Sequence, residues 1–264
     1  MPRFREMVWK YYRKHGRHDL PWRRTRDPYK ILVSEVMLQQ TRVERVIPFY
    51  NKFIGQFPTA RRLSAAPLGS VLEAWQGLGY NRRARMLRAA AQEVGHGVFP
   101  KRVEELAKLP GVGPYTARAV AAFAYNQNVV FVETNIRTAV LQYFFANKKR
   151  VSDKEIEKIL ARALPAGRAR EWYSALMDYG AHLKASGVRL NAKSKQYAKQ
   201  SRFAGSLREA RGAILRALAY GSRAQASLIN LLGSSRRPQL RTALAALARE
   251  GLVQKRGKIF TLPR

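Results

Sequence analysis

Helical periodicity, opened repeatedly by proline, most limits what this chain can fold into. Asp27-Pro28 reads as an N-cap followed by proline at the first helical position, opening YKILVSEVMLQQ. Residues 43–57 carry the spacing of an amphipathic helix. Pro67 opens another, which ends near the glycines of QGLGY. Residues 81–94 form a basic amphipathic helix closed by GHGVFP, and Pro114 opens YTARAVAAFAY. Residues 134–145, 152–164 and 168–184 complete the set. The run VVFV at 129–132 has strand character, but it sits between helices with no partner strand in view. The expectation is a mostly α domain over residues 1–200.

The stretch from Ser186 to Ser206 is basic and poor in large apolar residues, so it reads as a surface loop or linker. Residues 206–264 then have a pattern of their own. Helical segments at 208–219, 225–232 and from Pro238 precede LVQKRGKIFTL, which reads strand, turn, strand. Three helices and a β-hairpin follow the order of a winged helix. In that arrangement the helix from Pro238, with Arg241, enters a groove, and Lys255, Arg256 and Lys258 form the wing tip. The plainer alternative is a small helical cap on the main domain.

Charge narrows the partner. Fifty Lys+Arg stand against 17 Asp+Glu in 264 residues, a formal net charge of +33. Such a surface repels itself unless a polyanion neutralises it, so nucleic acid leads, ahead of an anionic membrane surface or a ribosomal RNA role. Beyond Ala181 the only acids are Glu209 and Glu250. There is no cysteine, which excludes disulfides, thiolate zinc sites and cysteine-held iron–sulfur clusters. No stretch is long and apolar enough to span a membrane, and the first residues lack the apolar core of a signal peptide. A cytoplasmic monomer, nucleoid-associated if prokaryotic, is the expectation.

The most specific stretch is LPGVGPYTA, residues 109–117. Glycines 111 and 113 permit a tight turn, and Pro114 starts a helix. Such a turn presents backbone N–H groups at a helix N-terminus, where a phosphate can sit. This fits a hairpin that grips a DNA backbone without reading sequence. An ordinary helix–turn–helix connection is the alternative.

WRRTRDPYKILVSEVMLQQT, WQGLGYNRRAR and LPGVGPYTA, in this order and spacing, resemble the helix-hairpin-helix (HhH-GPD) DNA glycosylases, and among them the MutY-type adenine glycosylases. The resemblance runs from about Leu20 to Lys184. It implies a two-lobed helical domain acting on double-stranded DNA that holds a damaged or mismatched base pair. It implies that Glu35 protonates the departing adenine. Ile31 and Leu38, one turn to either side, put Glu35 beside an apolar stripe, and burial raises a carboxyl's pKa. Otherwise Glu35 is a solvent-facing helix residue. By the same resemblance Gln40 wedges into the base stack and Tyr80 sits at the lesion-side base. Their plain readings are a helix-end glutamine and a core tyrosine. Leu109, Gly111, Val112, Gly113 and Thr116 become the DNA-gripping hairpin, with an alkali metal ion on its carbonyls. Tyr115 stands where bifunctional relatives carry a lysine nucleophile, which implies hydrolysis without strand cleavage.

Glu133-Thr134-Asn135 replaces an Asp-Gly-Asn-like segment of the family. Breaking an N-glycosidic bond develops cationic character on the sugar, so an acid must assist the base and a carboxylate must balance the cation. Glu35 is expected as the acid, Glu133 as the stabiliser or transient nucleophile, and Asn135 as the residue that orients them. Glutamate is one methylene longer than aspartate. Three readings stand: a compensating backbone shift, a different substrate, or a weakened site in a DNA-binding relative. A pairing of Glu133 with Arg137 one turn on is a structural alternative. Two further departures are clear. The family's cluster cysteines correspond to Lys184, Asn191, Ser194 and Gln200, leaving a basic loop over 184–200 whose Lys193, Lys195 and Lys199 suit phosphate contact without iron. And the tail is too short for the usual β-rich domain that senses 8-oxoguanine.

The leading expectation is a monofunctional glycosylase for adenine opposite 8-oxoguanine or guanine. A mismatch thymine/uracil or modified-base glycosylase on the same scaffold is the alternative enzyme. A catalytically silent DNA-binding protein is the alternative of another class.

Overall fold

The computed structural model describes residues 1–95, 97–193 and 202–264. Helices α1 (Pro2–His15), α2 (Pro28–Leu38), α3 (Val43–Gln56), α4 (Ala60–Ala65), α5 (Leu68–Ala74), α6 (Arg82–Val94), α7 (Val103–Leu106), α8 (Pro114–Tyr125), α9 (Thr134–Phe144), α10 (Asp153–Ala163) and α11 (Ala169–Ala185) follow one another along the chain. The starts are chemically marked. Asp27 Oδ1 accepts the Tyr29 N–H at 2.9 Å beside Pro28, and Ser152 and Glu155 cap α10 reciprocally. The mostly α architecture is as the periodicity predicts. Among the described residues, 126–133 hold no strand. Phe131 is buried and stacks on Tyr173 at 4.0 Å between ring centroids, while Tyr173 Oη donates to the Val129 carbonyl. The apolar run is packing, not pairing.

The chain divides into two compact units. The first comprises Met1–Glu35, Phe99–Lys108 and Val112–Lys199; the second comprises Val36–Val98, Leu109–Gly111 and Gln200–Arg264.

In the first unit, α1 and α9 pack on α11. Phe4 and Val8 of α1, Ile136 and Val140 of α9, and Trp172 and Leu176 of α11 are fully buried at i, i+4 spacing. Each such side chain stabilises by about 1.5–3 kcal/mol. Helix α1 was not anticipated, because its apolar stripe is narrow among arginines and lysines. Asp178 of α11 is 3% exposed and accepts from Arg17 and Arg23. Burial would push its carboxyl up, but the Arg23 hydrogen bonds and charge hold it below the usual range.

In the second unit, Val46, Tyr50 and Phe53 line the inner face of α3, and Phe53 meets Trp75 edge to face at 5.7 Å. The tail adds helix α12 (Leu207–Ala219), strand β1 (Arg223–Ala224), helices α13 (Gln225–Leu228) and α14 (Arg237–Arg249), and strands β2 (Gln254–Arg256) and β3 (Ile259–Thr261). The sheet order is β1-β3-β2, all antiparallel. Strand β1 was not anticipated, and the helix expected over 225–232 ends at Leu228. Helix α12 packs on α14 through Ile214, Leu218, Leu240 and Leu247. This tail also docks on α5: the Gly69 N–H donates to the Pro263 carbonyl at 2.7 Å, and Gln76 Nε2 donates to the Leu215 carbonyl. A Cβ at Gly69 would stand 2.7 Å from that carbonyl oxygen, so the close approach requires glycine. Among the described residues no helix is long and apolar enough to cross a membrane.

Candidate active site

Glu35 lies in the last half of α2 and is 7% exposed. Ile31, one turn earlier, is buried beside it. Burial lifts the Glu35 carboxyl to about 7, a hydrogen bond from Tyr115 opposes that rise, and the charge of Glu133 adds to it. A solvent-facing glutamate would feel none of this. The bond runs from Tyr115 Oη to Glu35 Oε2 at 3.0 Å. Burial, and the two carboxylates, keep the Tyr115 phenol far above its ordinary value, so it is a neutral donor. This contact joins residues eighty positions apart, which no motif spacing reveals.

Glu133 is half-buried at the N-terminus of α9, and its side chain caps that helix. Oε2 accepts the Asn135 N–H at 2.7 Å and the Ile136 N–H at 3.4 Å; Oε1 accepts from Asn135 Nδ2 at 3.3 Å. The glutamate carboxylate folds back onto the end of its own helix. Burial raises its pKa, while the Asn135 N–H, the charge of Lys184 and the Ile136 N–H work the other way. The pairing of Glu133 with Arg137 does not form as an ion pair. The Arg137 guanidinium instead clasps both oxygens of Asp153, at 3.0 and 2.8 Å.

Asn135 is fixed from two more sides. Lys184 Nζ donates to its Oδ1 at 3.1 Å. Gly180 of α11 runs so close to its backbone that a Cβ there would lie 1.9 Å from the Asn135 carbonyl oxygen. Lys184 is the residue at the first cluster-cysteine position. A cysteine-held iron–sulfur cluster does not fit this chain, which has no cysteine. Lys184 is committed to Asn135, and Asn191 Oδ1 accepts from the Thr138 hydroxyl at 3.4 Å. Protein contacts hold the neighbouring segment: the Val151 N–H donates to the Lys193 carbonyl, and Lys193 Nζ to the Ala146 carbonyl. Lys193, expected at a phosphate, is thus also a structural tie. Lys195 and Lys199 lie outside the described residues, as do Ser194 and Gln200.

In the second unit Gln40 and Tyr80 both adopt positive φ, 56° and 49°, which side-chain-bearing residues rarely do. Arg83 holds the turns that carry them. Its Nη1 donates to the carbonyls of Val36, Met37 and Gln39 at 2.7, 3.0 and 2.6 Å, closing the C-terminal end of α2. Its Nη2 donates to the Gly79 carbonyl at 3.1 Å, and the guanidinium sits 5.5 Å from the Trp75 ring and 5.4 Å from the Tyr80 ring. Burial lowers its pKa to about 10. The sequence offered no signal for this role, since one more arginine in so basic a chain reads as a phosphate contact.

The hairpin residues divide by exposure. Leu109, Val112 and Thr116 bury their side chains, so only their backbone can meet a ligand. Gly111 has φ 76°, and a Cβ there would strike Met86 at 2.6 Å. Gly113 corrects the expectation that both glycines serve the turn. Its φ of −81° suits any residue, and a Cβ would meet nothing within 4 Å. What Gly113 offers is open space before α8. Among the described residues no group of three or more His, Cys, Asp or Glu could hold a metal ion. In the tail Arg241, Lys255, Arg256 and Lys258 are all exposed.

A buried protonatable glutamate, a capped second carboxylate and a glycine hairpin on one helical scaffold define a class. The profile of the HhH-GPD superfamily base excision DNA repair proteins matches residues 33–166, and the chain belongs to that superfamily. Its curated relatives narrow the group. It is 35% identical over 268 residues to an adenine DNA glycosylase of Mycolicibacterium smegmatis, covering 91% of this chain and 89% of the relative. It is 38% identical to one of Buchnera aphidicola, over 67% of this chain, and spans about half of that relative's length, 52%. Among solved structures it resembles a thermostable thymine-DNA glycosylase, with TM-score 0.63 and 26% identity over 72% of this chain and 94% of that one. It shares the fold of an endonuclease III in complex with DNA, with TM-score 0.55 and 23% identity over 68% of this chain and 81% of that one.

Proposed function

We propose that this protein is a monofunctional DNA glycosylase that hydrolyses the N-glycosidic bond of adenine mispaired with 8-oxoguanine or guanine. The observation that carries the reading is Glu35, a buried carboxyl poised near neutrality beside a second carboxylate. At neutral pH a substantial fraction of Glu35 holds its proton and can deliver it to a ring nitrogen of adenine. The base then leaves as a neutral species, and the C1′–N bond breaks with its electron pair on the base. Glu133, whose ionised form the Asn135 N–H, Lys184 and the Ile136 N–H favour against its burial, balances the cationic sugar until water attacks C1′ and gives up a proton to the Glu35 carboxylate. Asn135 fixes the carboxylate. Tyr115 offers no amine, so no Schiff base forms there and the strand stays intact. Gln40 and Tyr80 hold the opened duplex, and the hairpin and the basic tail grip its phosphates.

Relatives called adenine DNA glycosylases support the purine substrate. The likeness to a thymine-DNA glycosylase supports a mismatched thymine as the second reading. Single-turnover excision on labelled duplexes separates them: adenine opposite 8-oxoguanine, guanine or cytosine, and thymine or uracil opposite guanine, with hot alkali to reveal abasic sites. Adenine release favoured opposite 8-oxoguanine or guanine is the expected result. Thymine or uracil release would replace the substrate. Tight binding with no release from any duplex would leave a DNA-binding protein.

A further inference from the structure

Both acids of the tail are engaged within it. Residues 206–264 hold twelve Lys+Arg and two acids, Glu209 and Glu250. Glu209 Oε2 accepts from Arg236 Nη1 at 2.7 Å and from the Gly205 N–H at 2.8 Å. The Glu250 carboxylate accepts from both Nη groups of Arg211, at 2.7 and 2.6 Å. Arg241 and Arg249 of α14, and Lys255, Arg256 and Lys258 of the β2–β3 hairpin, are exposed, and among the described residues no acid pairs with them. These cations share one frame. Leu240, Ala243, Leu244 and Leu247 turn one side of α14 into the core, so Arg241, Thr242 and Arg249 lie along the other. At the start of α14, Arg237 Nε donates to Asn230 Oδ1 at 2.6 Å, just past α13. The Gln225 N–H, which opens α13, donates to the Lys258 carbonyl at 3.1 Å. Helix α13 thus ties the hairpin turn to the first turn of α14.

We propose that the tail is a second duplex-binding surface that takes intact DNA, with the exposed face of α14 in the major groove and the β2–β3 hairpin on the flanking backbone. This rests on the reading of DNA as the substrate, but not on which base is excised. The major groove of B-DNA, about 12 Å wide, admits an α-helix. Arg241 and Arg249, eight residues apart, stand about 12 Å apart along the helix axis. Thr242 and Ala245 between them are too short to hold the helix away from the groove floor. A hairpin fixed beside such a helix meets the phosphates next to the groove. No acid opposes them on this face, and each phosphate neutralised releases counterions. Phosphate contacts carry no information about a lesion, so the tail strengthens binding to intact and mismatched duplex by the same factor. The activity it adds is retention on undamaged DNA, along which a protein held electrostatically can slide.

The test uses the full chain carrying Glu35→Gln, so that no base leaves, as the parent. Dissociation constants are measured across a salt series for an intact duplex and for the same duplex with adenine opposite 8-oxoguanine. The triple variant Arg241→Ala/Lys255→Ala/Lys258→Ala is expected to bind both duplexes at least about tenfold more weakly, with the slope of log affinity against log salt shallower by about two to three, since each phosphate contact contributes about 0.9. Arg241→Ala alone should lower the slope by about one. Arg216→Ala, which removes an exposed charge on the side of α12 away from Ile214 and Leu218, should change neither affinity nor slope. A loss confined to the mismatched duplex would make the tail a lesion reader and overturn the proposal. So would an Arg216→Ala effect as large as that of Arg241→Ala, which would mean net charge alone, or tighter binding to vesicles of an anionic phospholipid than to duplex. If the parent binds duplex and the triple variant matches it, this proposal falls and the DNA reading stands; if the parent binds neither duplex, both fall.

Discussion

Tyr115 donates a 3.0 Å hydrogen bond to Glu35 and so restrains the rise that burial forces on that carboxyl. The acid is therefore tuned by two opposed causes, and each can be removed separately. Rate constants for base release should fall as pH rises through about 7, where Glu35 loses its proton. Removing the donor in Tyr115→Phe destabilises the ionised form, so the descending limb should move to higher pH. Single-turnover rates across pH 5 to 9 check this. A limb that stays in place or moves down would mean that the phenol does not govern the acid.

Lys184 acts on the other limb. Its charge lowers the Glu133 pKa, which burial raises. In Lys184→Met the Glu133 pKa rises further, so the ascending limb, where Glu133 must ionise, should move to higher pH. Lys184→Arg should move it back. A lower rate with an unmoved limb would reduce Lys184 to a tie on Asn135.

Arg83→Ala strips the α2 C-terminus and the Gly79 turn of their shared donor. Hydrogen bonds to a charged group contribute about 1.5–3 kcal/mol each, and a lysine cannot reproduce the fork. A loss of ~3 kcal/mol in urea unfolding is expected, with Arg83→Lys little better. Duplex affinity should fall as well, because Gln40 and Tyr80 lose their positions. Full stability in either variant would contradict the assignment.

Gly180→Ala places a methyl group into the Asn135 carbonyl. Overpacking commonly costs about 1–3 kcal/mol, and a backbone obstacle cannot step aside as a side chain does. A loss beyond ~3 kcal/mol, or failure to fold, is expected. Gly113→Ala is the control and should leave stability within ~0.5 kcal/mol. Thermal unfolding of both variants decides.

What could be read in the sequence depended on the kind of signal. Helices with a proline or Asp-Pro start lay within a few residues of their positions, because one residue both fixes φ and excuses a missing donor. Helix α1 escaped, its Phe4, Val8 and Tyr12 stripe hidden among cations. Strand β1, two residues long, takes its identity from the β3 edge rather than its own residues. At the site, Glu35, Glu133 and Asn135 stood out by motif. Their partners did not: Tyr115 meets Glu35, Lys184 meets Asn135 and Arg208 meets Tyr80 only through tertiary structure. Local spacing also suggested Glu133–Arg137, but Asp153 gave Arg137 the better geometry.

On this mechanism Glu35 supplies the proton to the leaving base. Single-turnover excision of adenine opposite 8-oxoguanine by wild type and by Glu35→Gln, with duplex binding measured in parallel, tests it most directly. General acid catalysis contributes about 10²–10⁴-fold, so the variant should lose at least ~10²-fold in rate while binding the duplex as wild type does. A Glu35→Gln protein that excises adenine as fast as wild type would contradict the account.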